Sequence, residues 1–200
     1  MFIAVDRNQC TGTHLQSNIS NHRALEALGH TLVPTILPYG DYSLMTPAMT
    51  DTMKRRGTKI RKLDYAGIIP AVVDRKASMS EIAQNLCSGK DEHARFINEI
   101  VVARQCGAQV YILVEDDHIR TISDVEHWQN PRISEYYRRR ALEQQGWHFQ
   151  RPLPAHPPVN GAQLAKTLHT VEERYGARFV FCTPQEAPAA IVGLLTSAPS

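Results

Sequence analysis

Two short stretches decide the fold: Gly40-Asp41-Tyr42 and, after a basic segment, Val72-Val73-Asp74-Arg75-Lys76. Each follows or closes an apolar run that is typical of a strand, so each places an acidic residue at a strand end. Two such strands lying side by side would bring Asp41 and Asp74 within reach of one divalent cation, with Lys76 beside them. The sequence therefore predicts a sheet with a functional site at one edge.

Strands and helices are expected on both sides of these stretches. We expect strands at 2–5, 32–37, 68–73, 110–114 and 179–182, helices at 20–28, 91–106 and 131–145, and further helices opened by Ser78, Asn160 and Thr183. The order predicts an α/β fold with a central mixed sheet flanked by helices. Residues 46–66 are polar, basic and interrupted by Pro and Gly, which predicts a mobile loop or a hairpin tip.

The length of 200 residues suits one domain with a full hydrophobic core. We expect the core in 1–116 and 160–195, with 117–159 as a helical and Pro-rich insertion. Trp128 and Trp147 flank the helix of that insertion and are expected to anchor it to the body. No apolar run approaches the roughly 18 residues that a membrane span needs. The four cysteines have no paired spacing, which argues against zinc and for free thiols, so a cytoplasmic protein is expected.

The formal net charge of +2 does not by itself indicate a nucleic-acid partner, so the position of the charges matters. One basic cluster lies between the two acidic stretches and contains no acid; its members are Lys54, Arg55, Arg56, Lys59, Arg61 and Lys62. We expect this cluster to bind DNA through phosphates. If about four of these residues engage, log K should fall with log salt at a slope near −3.6. A second cluster, Arg138–Arg140, is equally compatible with DNA contact and with a solvated surface.

The acidic pair indicates a metal-dependent phosphodiester hydrolase. Asp41 and Asp74 offer the hard oxygen ligands that Mg²⁺ or Mn²⁺ prefers, and the carbonyl of Arg75 could be a third ligand. A divalent cation neutralises phosphoryl charge and activates water, and Lys76 can orient that water or stabilise developing charge. Two carboxylates about 4 Å apart repel by roughly 4 kcal/mol at an effective dielectric of 20, so the pair requires a cation or Lys76.

The same residues carry a resemblance to a known family. Val5-Asp6, residues 37–42, Val73-Asp74-Arg75-Lys76 and the helix through Leu86 together resemble the nuclease domain of the XPF family of structure-specific endonucleases. That domain belongs to the restriction-endonuclease-like PD-(D/E)xK superfamily, and its family signature is Gly-Asp followed by Glu-Arg-Lys-x-x-x-Asp. The resemblance covers about 1–116 and 160–195, and the tail is similar to compact bacterial and phage versions.

The resemblance implies roles for individual residues. Asp41 and Asp74 would bind the metal, Lys76 would serve the attacking water and Asp6 would be an auxiliary acid. Arg75 would hold the strand end or a phosphate. Two further residues have alternative roles: Arg95 would contact a phosphate or form a surface salt bridge with Glu92 or Glu99, and Tyr42 would stack on a base or pack the strand.

The chain departs from the family pattern at three places. Asp74 replaces a glutamate, and the opening Asp-x-Arg-Glu is reduced to Asp6-Arg7-Asn8. The family's last acid aligns with Ser80, while Glu81 lies one residue later, about 100° around a helix. Glu81 is expected to form a capping box with Ser78. The metal site could therefore be one ligand short.

Two functions follow from these expectations. The first is a Mg²⁺- or Mn²⁺-dependent DNA endonuclease, with flapped, forked or branched duplexes as possible substrates. The second is a catalytically weak nucleic-acid-binding or scaffold protein on the same fold. Nothing after Glu115 shows the helix-hairpin-helix modules of large family members, so DNA grip would fall to the basic clusters and a second subunit. The resemblance implies a homodimer.

Overall fold

Six strands form one mixed sheet in the computed structural model, which describes residues 1–10, 12–87 and 89–197. The strands are β1 (Phe2–Asp6), β2 (Thr31–Thr35), β3 (Tyr42–Leu44), β4 (Ala71–Lys76), β5 (Gln109–Glu115) and β6 (Arg178–Cys182). Their order is β2-β1-β3-β4-β5-β6. Strand β3 is antiparallel to β1 and β4, and the other neighbouring pairs are parallel. This confirms the expected α/β fold with a mixed sheet.

Helices cover both faces of the sheet. They are α1 (Gly12–Ala27), α2 (Pro47–Arg56), α3 (Met79–Cys87), α4 (Lys90–Gln105), α5 (Ile122–Val125), α6 (Pro131–Gln144), α7 (Gly161–Tyr175) and α8 (Ala187–Thr196). One face packs on α1 and α8 through Leu25, Ile191 and Leu195, while α3, α4 and α7 bury the opposite face. Within the described ranges, no helix combines the length and apolar character needed to cross a membrane.

The segment 46–66 is not the loop that its composition predicts. It forms α2 and two short 3-10 turns, 57–59 and 62–65. The Thr46 hydroxyl accepts a hydrogen bond from the Met49 N–H at 3.1 Å, and Pro47 occupies the first helical position, where its missing N–H costs nothing. Met49 and Thr52 are buried. Packing of this short buried face stabilises α2, although the polar composition of the segment predicted a loop.

Other element boundaries also differ from the expectation. Helix α1 begins at Gly12, so the predicted start at residue 20 was wrong, and Asn21 lies buried within the helix instead of capping it. Strand β4 runs from Ala71 through Lys76, so Asp74 lies inside the strand. The expected box between Thr183 and Glu186 is present, although α8 begins only at Ala187.

Two asparagines begin the helices that flank the Pro-rich segment, as the sequence predicted. Asn130 accepts a hydrogen bond from the Arg132 N–H at 3.0 Å, and Asn160 accepts one from the Gln163 N–H at 2.9 Å. Asn130 also donates to the Val159 carbonyl at 2.9 Å, which joins the start of α6 to the segment just before α7. These bonds fix the bases of both helices.

Candidate active site

The alternation of side chains along β4 explains why Asp74 and Lys76 share one face while Arg75 lies on the other. Successive side chains of a strand point to opposite faces. Val72 belongs to the core beneath α3 and α4, so Asp74 and Lys76 extend toward that side. Val73 belongs to the core beneath α1 and α8, and Arg75 therefore points to that opposite side. The run Asp74-Arg75-Lys76 thus places two residues at one site and the third behind it.

Gly40 lets the chain approach β4 closely enough to position Asp41. Its φ of +67° lies in the left-handed region, and a Cβ at this position would lie 2.9 Å from Cβ of Val72. The Asp41 N–H then donates to the Val73 carbonyl at 2.9 Å, and the Asp6 N–H donates to the Asp41 carbonyl at 2.9 Å. Asp41 is therefore fixed between β1 and β4 at the start of β3.

Both carboxylate oxygens of Asp41 accept hydrogen bonds. The Gln9 amide donates to Oδ1 at 2.6 Å, and the Arg75 backbone N–H donates to Oδ2 at 2.8 Å. Burial and the nearby charge of Asp74 raise the pKa of Asp41 to about 8, although Lys76 and the Arg75 N–H act in the opposite direction. Asp74 therefore lies close enough for its charge to oppose the ionisation of Asp41.

Lys76 is the cation that compensates this pair. Its Nζ atom lies 2.9 Å from Oδ1 of Asp74 and 5.3 Å from the centre of the Phe96 ring. Burial lowers the pKa of Lys76, but the charges of Asp74 and Asp41 outweigh burial and raise it. Lys76 is therefore protonated at neutral pH and acts as a fixed positive charge, held by one carboxylate and one aromatic ring.

A cleft of about 440 Å³ brings most of the expected site residues together. Its lining includes Asp41, Asp74, Arg75, Lys76, Glu81, Arg95 and Glu99. Four of these are acids and, since the guanidinium of Arg75 is paired elsewhere, only Lys76 and Arg95 supply compensating charge. Within the described ranges, no group of three or more acidic, histidine or cysteine side chains is close enough to hold a metal. Two partly buried carboxylates with surplus negative charge fit Mg²⁺ or Mn²⁺, with water completing the coordination.

A closed hydrogen-bonded ring supports Asp41 from behind. The ring runs from Asp41 to Gln9, Asn18 and Arg75. The Gln9 amide donates to Asp41, and its Oε1 accepts from the Asn18 amide at 2.6 Å. Asn18 Oδ1 in turn accepts from Arg75 Nη1 at 2.6 Å. The backbone N–H of Arg75 returns to Asp41. The guanidinium also makes a bidentate pair with Glu115, with Nη2 to Oε2 at 2.6 Å. Both charged side chains of this pair are buried.

This ring changes the interpretation of Arg75. Its guanidinium binds Glu115 and Asn18 inside the protein, so it is not available to a DNA phosphate, and its contribution is to hold the strand end. The roles of Asn18 and Gln9 were not predicted from the sequence, because neutral amides carry no charge signal. One signal was available for Glu115: an acid that closes a fully apolar strand requires a buried partner.

Glu81 and Ser80 face different cavities. Glu81 lines the cleft and also accepts a hydrogen bond from the Ala77 N–H at 2.9 Å, while its own N–H donates to Ser78 Oγ at 3.2 Å. Ser80 lines a separate groove of about 490 Å³ on the other side of α3. The residue that aligns with the family's last acid thus points away from the site, and its neighbour Glu81 points into it.

Three further expected residues have structural contacts. Asp6 accepts hydrogen bonds from the backbone N–H groups of Asn8 and Leu37, both at 3.1 Å, which anchors the end of β1. Tyr42 is fully buried and meets His22 edge to face, so its ring is not available to a nucleobase. Arg95 lies at the cleft and pairs with Glu92 at 3.1 Å on the exposed surface of α4.

Part of the basic cluster lies at the end of the sheet where β1 and β2 finish and where Asp41 is placed. The Thr35 hydroxyl lies 3.4 Å from the Met53 sulfur, and Thr35 pairs in register with Asp6, which binds the Asp41 carbonyl. The last turn of α2 therefore reaches this end of the sheet. Five of the cluster's side chains are exposed, namely Lys54, Arg55, Arg56, Lys59 and Arg61, and the side chain of Lys62 lies outside the described residues. Arg56 pairs with Asp64 at 2.8 Å.

Comparisons with known proteins identify the fold. Neither the known protein families nor the curated proteins include a match for this chain. Among solved structures, XPF from Aeropyrum pernix matches with a TM-score of 0.51 and 19% identity over 98% of this chain. The chain has the XPF-type nuclease fold. This chain spans 63% of the length of that XPF chain, and the structure of the same XPF in complex with DNA matches with a TM-score of 0.49. The resemblance seen in the sequence is thereby confirmed for the fold.

Proposed function

We propose that this chain is a Mg²⁺- or Mn²⁺-dependent DNA endonuclease that hydrolyses phosphodiester bonds. The observation that supports this most is the convergence of Asp41, Asp74 and Lys76 on one cleft of the XPF-type fold. The acids come from chain segments 33 positions apart, and Gly40 is required for their approach. A buried carboxylate with a raised pKa beside a second acid is a costly arrangement, and such arrangements cluster at functional sites.

Each residue has a distinct task in this proposal. Asp41 and Asp74 would hold the metal, with the Arg75 carbonyl as a further proposed ligand and Glu81 near enough to line the same cleft. The bound cation would neutralise phosphoryl charge and supply an activated water. Lys76, fixed by Asp74 and Phe96, would position the attacking water and stabilise charge that develops on the phosphate. Asp6 would act indirectly, by fixing the backbone on which Asp41 stands.

DNA contact is proposed for the exposed basic residues near the cleft. Lys54, Arg55 and Arg95 have the charge and exposure to neutralise phosphates. We include a preference for flapped, forked or branched duplexes in the proposal, because the sequence motifs resemble those of structure-specific endonucleases. The expected homodimer and the cytoplasmic location stay predictions; sedimentation of the purified protein tests the first.

Cleavage assays test this function directly. The protein is incubated with flap, fork and plain duplex DNA in Mg²⁺, Mn²⁺ or EDTA. We expect metal-dependent cleavage that falls by at least about 10²-fold in Asp74→Ala, since loss of even a supporting group around a metal typically costs about 10- to 100-fold in activity and Asp74 is a proposed ligand. The matched control is Asp117→Ala, which removes an exposed aspartate outside the cleft. Cleavage that persists in Asp74→Ala or in EDTA would reject the proposal.

A second function, nucleic-acid binding without cleavage, is supported by the small number of metal-ligating side chains in the cleft. Ser80 points away from the cleft, and the described residues contain no group of three metal-ligating side chains. A nucleic-acid-binding or scaffold protein on the same fold would bind DNA in EDTA, show no cleavage in either metal and lose no DNA affinity in Asp74→Ala. The same set of assays separates the two functions.

A further inference from the structure

We infer that a projecting arm, residues 131–151, binds a single strand of nucleic acid by stacking its bases on exposed aromatic rings. This arm, called the α6 arm below, consists of α6 and the seven residues that follow it. The inference rests on the proposed function, because it names the part of the substrate that lies beyond the cleft.

Trp147 does not anchor α6 to the body, since 63% of its surface is exposed. Its backbone is nevertheless held firmly. Gly146 adopts φ +90° and ends the helix, its N–H donates to the Glu143 carbonyl at 3.0 Å, and the Trp147 N–H donates to the Leu142 carbonyl at 3.1 Å. The exposed Trp147 ring gains the free protein no burial, and a tryptophan exposed on a held backbone is the kind of side chain that anchors a partner.

The chain beyond Trp147 is fastened back onto the helix. Arg139 lies over the Phe149 ring at 4.5 Å from its centre, and its Nη2 atom donates to the Arg151 carbonyl at 2.7 Å. Arg139 is thus used internally. The backbone on both sides of Trp147 is therefore held, by the end of α6 before it and by the contacts of Arg139 with Phe149 and Arg151 after it.

A second exposed ring lies on the helix itself. Tyr137 is 55% exposed, and Arg140 lies three positions later on the same helical face. Of the fourteen residues in α6, all of which the structure describes, only Tyr136 is buried. The Tyr137 ring meets the Tyr136 ring edge to face at 5.4 Å between centres, and the Arg140 guanidinium donates to the Tyr136 hydroxyl at 3.2 Å. The outer surface of α6 therefore offers an exposed aromatic ring close to an exposed guanidinium.

The charge of the α6 arm indicates an anionic partner. The arm contains five arginines and two glutamates, so its formal charge of +3 exceeds the +2 of the whole chain. Arg138 pairs with Glu135 at 2.8 Å, but both side chains are largely exposed and such a pair is readily exchanged for a phosphate. Exposed rings beside positive charge match unpaired nucleotides, whose bases are free to stack; paired bases are already stacked on each other.

The base of the α6 arm lies across α3 from the cleft. Arg132 donates to the Gln84 amide oxygen at 2.7 Å, and Gln84 and Ser80 line the groove on one side of α3 while Glu81 lines the cleft on the other. From there α6 extends by about 21 Å at 1.5 Å per residue. A strand that leaves the cleft over α3 would meet Arg132 first and Trp147 last.

Binding of a 20-nucleotide oligo(dT) in EDTA tests the inference without any dependence on cleavage. We expect the oligonucleotide to quench tryptophan fluorescence and to bind with an affinity that falls about tenfold in Trp147→Leu, the range for loss of one stacked base. Trp147→Phe should restore most of the affinity, since it keeps a stacking ring, while the quenching signal disappears. Thermal melting checks that each variant is folded.

The charged residues are tested separately. Arg138→Ala/Arg140→Ala should reduce the slope of log K against log salt by about 1.4, at about 0.7 for each phosphate contact with a single strand. The matched control, Arg174→Ala/Arg178→Ala, removes two exposed arginines elsewhere and should leave the slope unchanged. Wild-type protein that does not bind oligo(dT), Trp147→Leu that binds like wild type, or quenching by plain duplex equal to that by oligo(dT) would each overturn the inference.

Discussion

The side-chain amide of Gln9 lies 2.6 Å from Oδ1 of Asp41, and this bond closes the ring that joins the cleft to the buried pair of Arg75 and Glu115. Gln9 comes from the 3-10 turn directly after β1, while Asp41 precedes β3. The bond therefore ties together two segments that the sheet alone does not orient. It leaves the Asp41 carboxylate one fixed orientation.

Gln9→Leu should weaken metal binding while the protein stays folded. Loss of an outer hydrogen bond to a metal-ligating carboxylate typically costs about 10- to 100-fold in affinity or activity. Titration calorimetry with Mn²⁺ measures this change, and Gln105→Leu, which alters an exposed glutamine at the end of α4, is the control. An unchanged Mn²⁺ affinity in Gln9→Leu would show that Asp41 needs no such support.

Arg75→Met should destabilise the fold because it leaves Glu115 buried without its cation. Removal of one partner of a buried ion pair costs about 3–5 kcal/mol in the free energy of unfolding. The double variant Arg75→Met/Glu115→Gln removes the stranded charge and should recover part of this loss in urea denaturation. Arg138→Ala is the contrast, since its pair with Glu135 is exposed to solvent and contributes little to stability. Equal losses for Arg75→Met and Arg138→Ala would contradict the buried-pair argument.

The sequence predicted which acids meet at the cleft, but it did not predict the residues that hold those acids in position. Gly40, Asp41, Asp74 and Lys76 form a local pattern with a chemical meaning, so their convergence could be anticipated. The contacts of Gln9 and Asn18 could not, because they depend on how the 3-10 turn after β1 and helix α1 lie against the sheet, and propensity did not predict the start of that helix. Helix α2 was missed for a related reason: its stability comes from Met49 packing in the core, which composition does not reveal.

The raised pKa of Asp41 predicts that the metal-free protein loses stability as pH rises. The folded state favours the protonated acid, so this contribution is complete below about pH 4, the unfolded pKa, and is lost as pH rises through about 8. Asp41→Asn should remove this slope, and the difference between the two proteins isolates it from other titrating groups. Thermal melts in EDTA from pH 5 to 8.5 measure it. Parallel curves for wild type and Asp41→Asn would refute the assignment.

Gly40→Ala should disturb the site more than an ordinary glycine substitution. A Cβ at residue 40 would lie 2.9 Å from Cβ of Val72, and φ of +67° adds strain. Gly29→Ala is a matched control, because Gly29 has φ +82° with nothing within 4 Å of the added atom. We expect Gly29→Ala to cost about 1 kcal/mol from backbone strain alone, and Gly40→Ala to cost about 1–3 kcal/mol more from overpacking. Equal urea midpoints for the two variants would show that the close approach to Val72 is not limiting.

The end of α2 provides a test of how DNA is held near the cleft. Arg55 is exposed and makes no ion pair among the described residues, whereas Arg56 already binds Asp64 at 2.8 Å. Each phosphate contact with duplex DNA contributes about 0.9 to the slope of log K against log salt. Lys54→Ala/Arg55→Ala should therefore reduce the slope by about 1.8, while Arg56→Ala should change it less than Arg55→Ala does. Fluorescence anisotropy with duplex DNA in EDTA measures these slopes, and a slope unaffected by Lys54→Ala/Arg55→Ala would place the DNA on another surface.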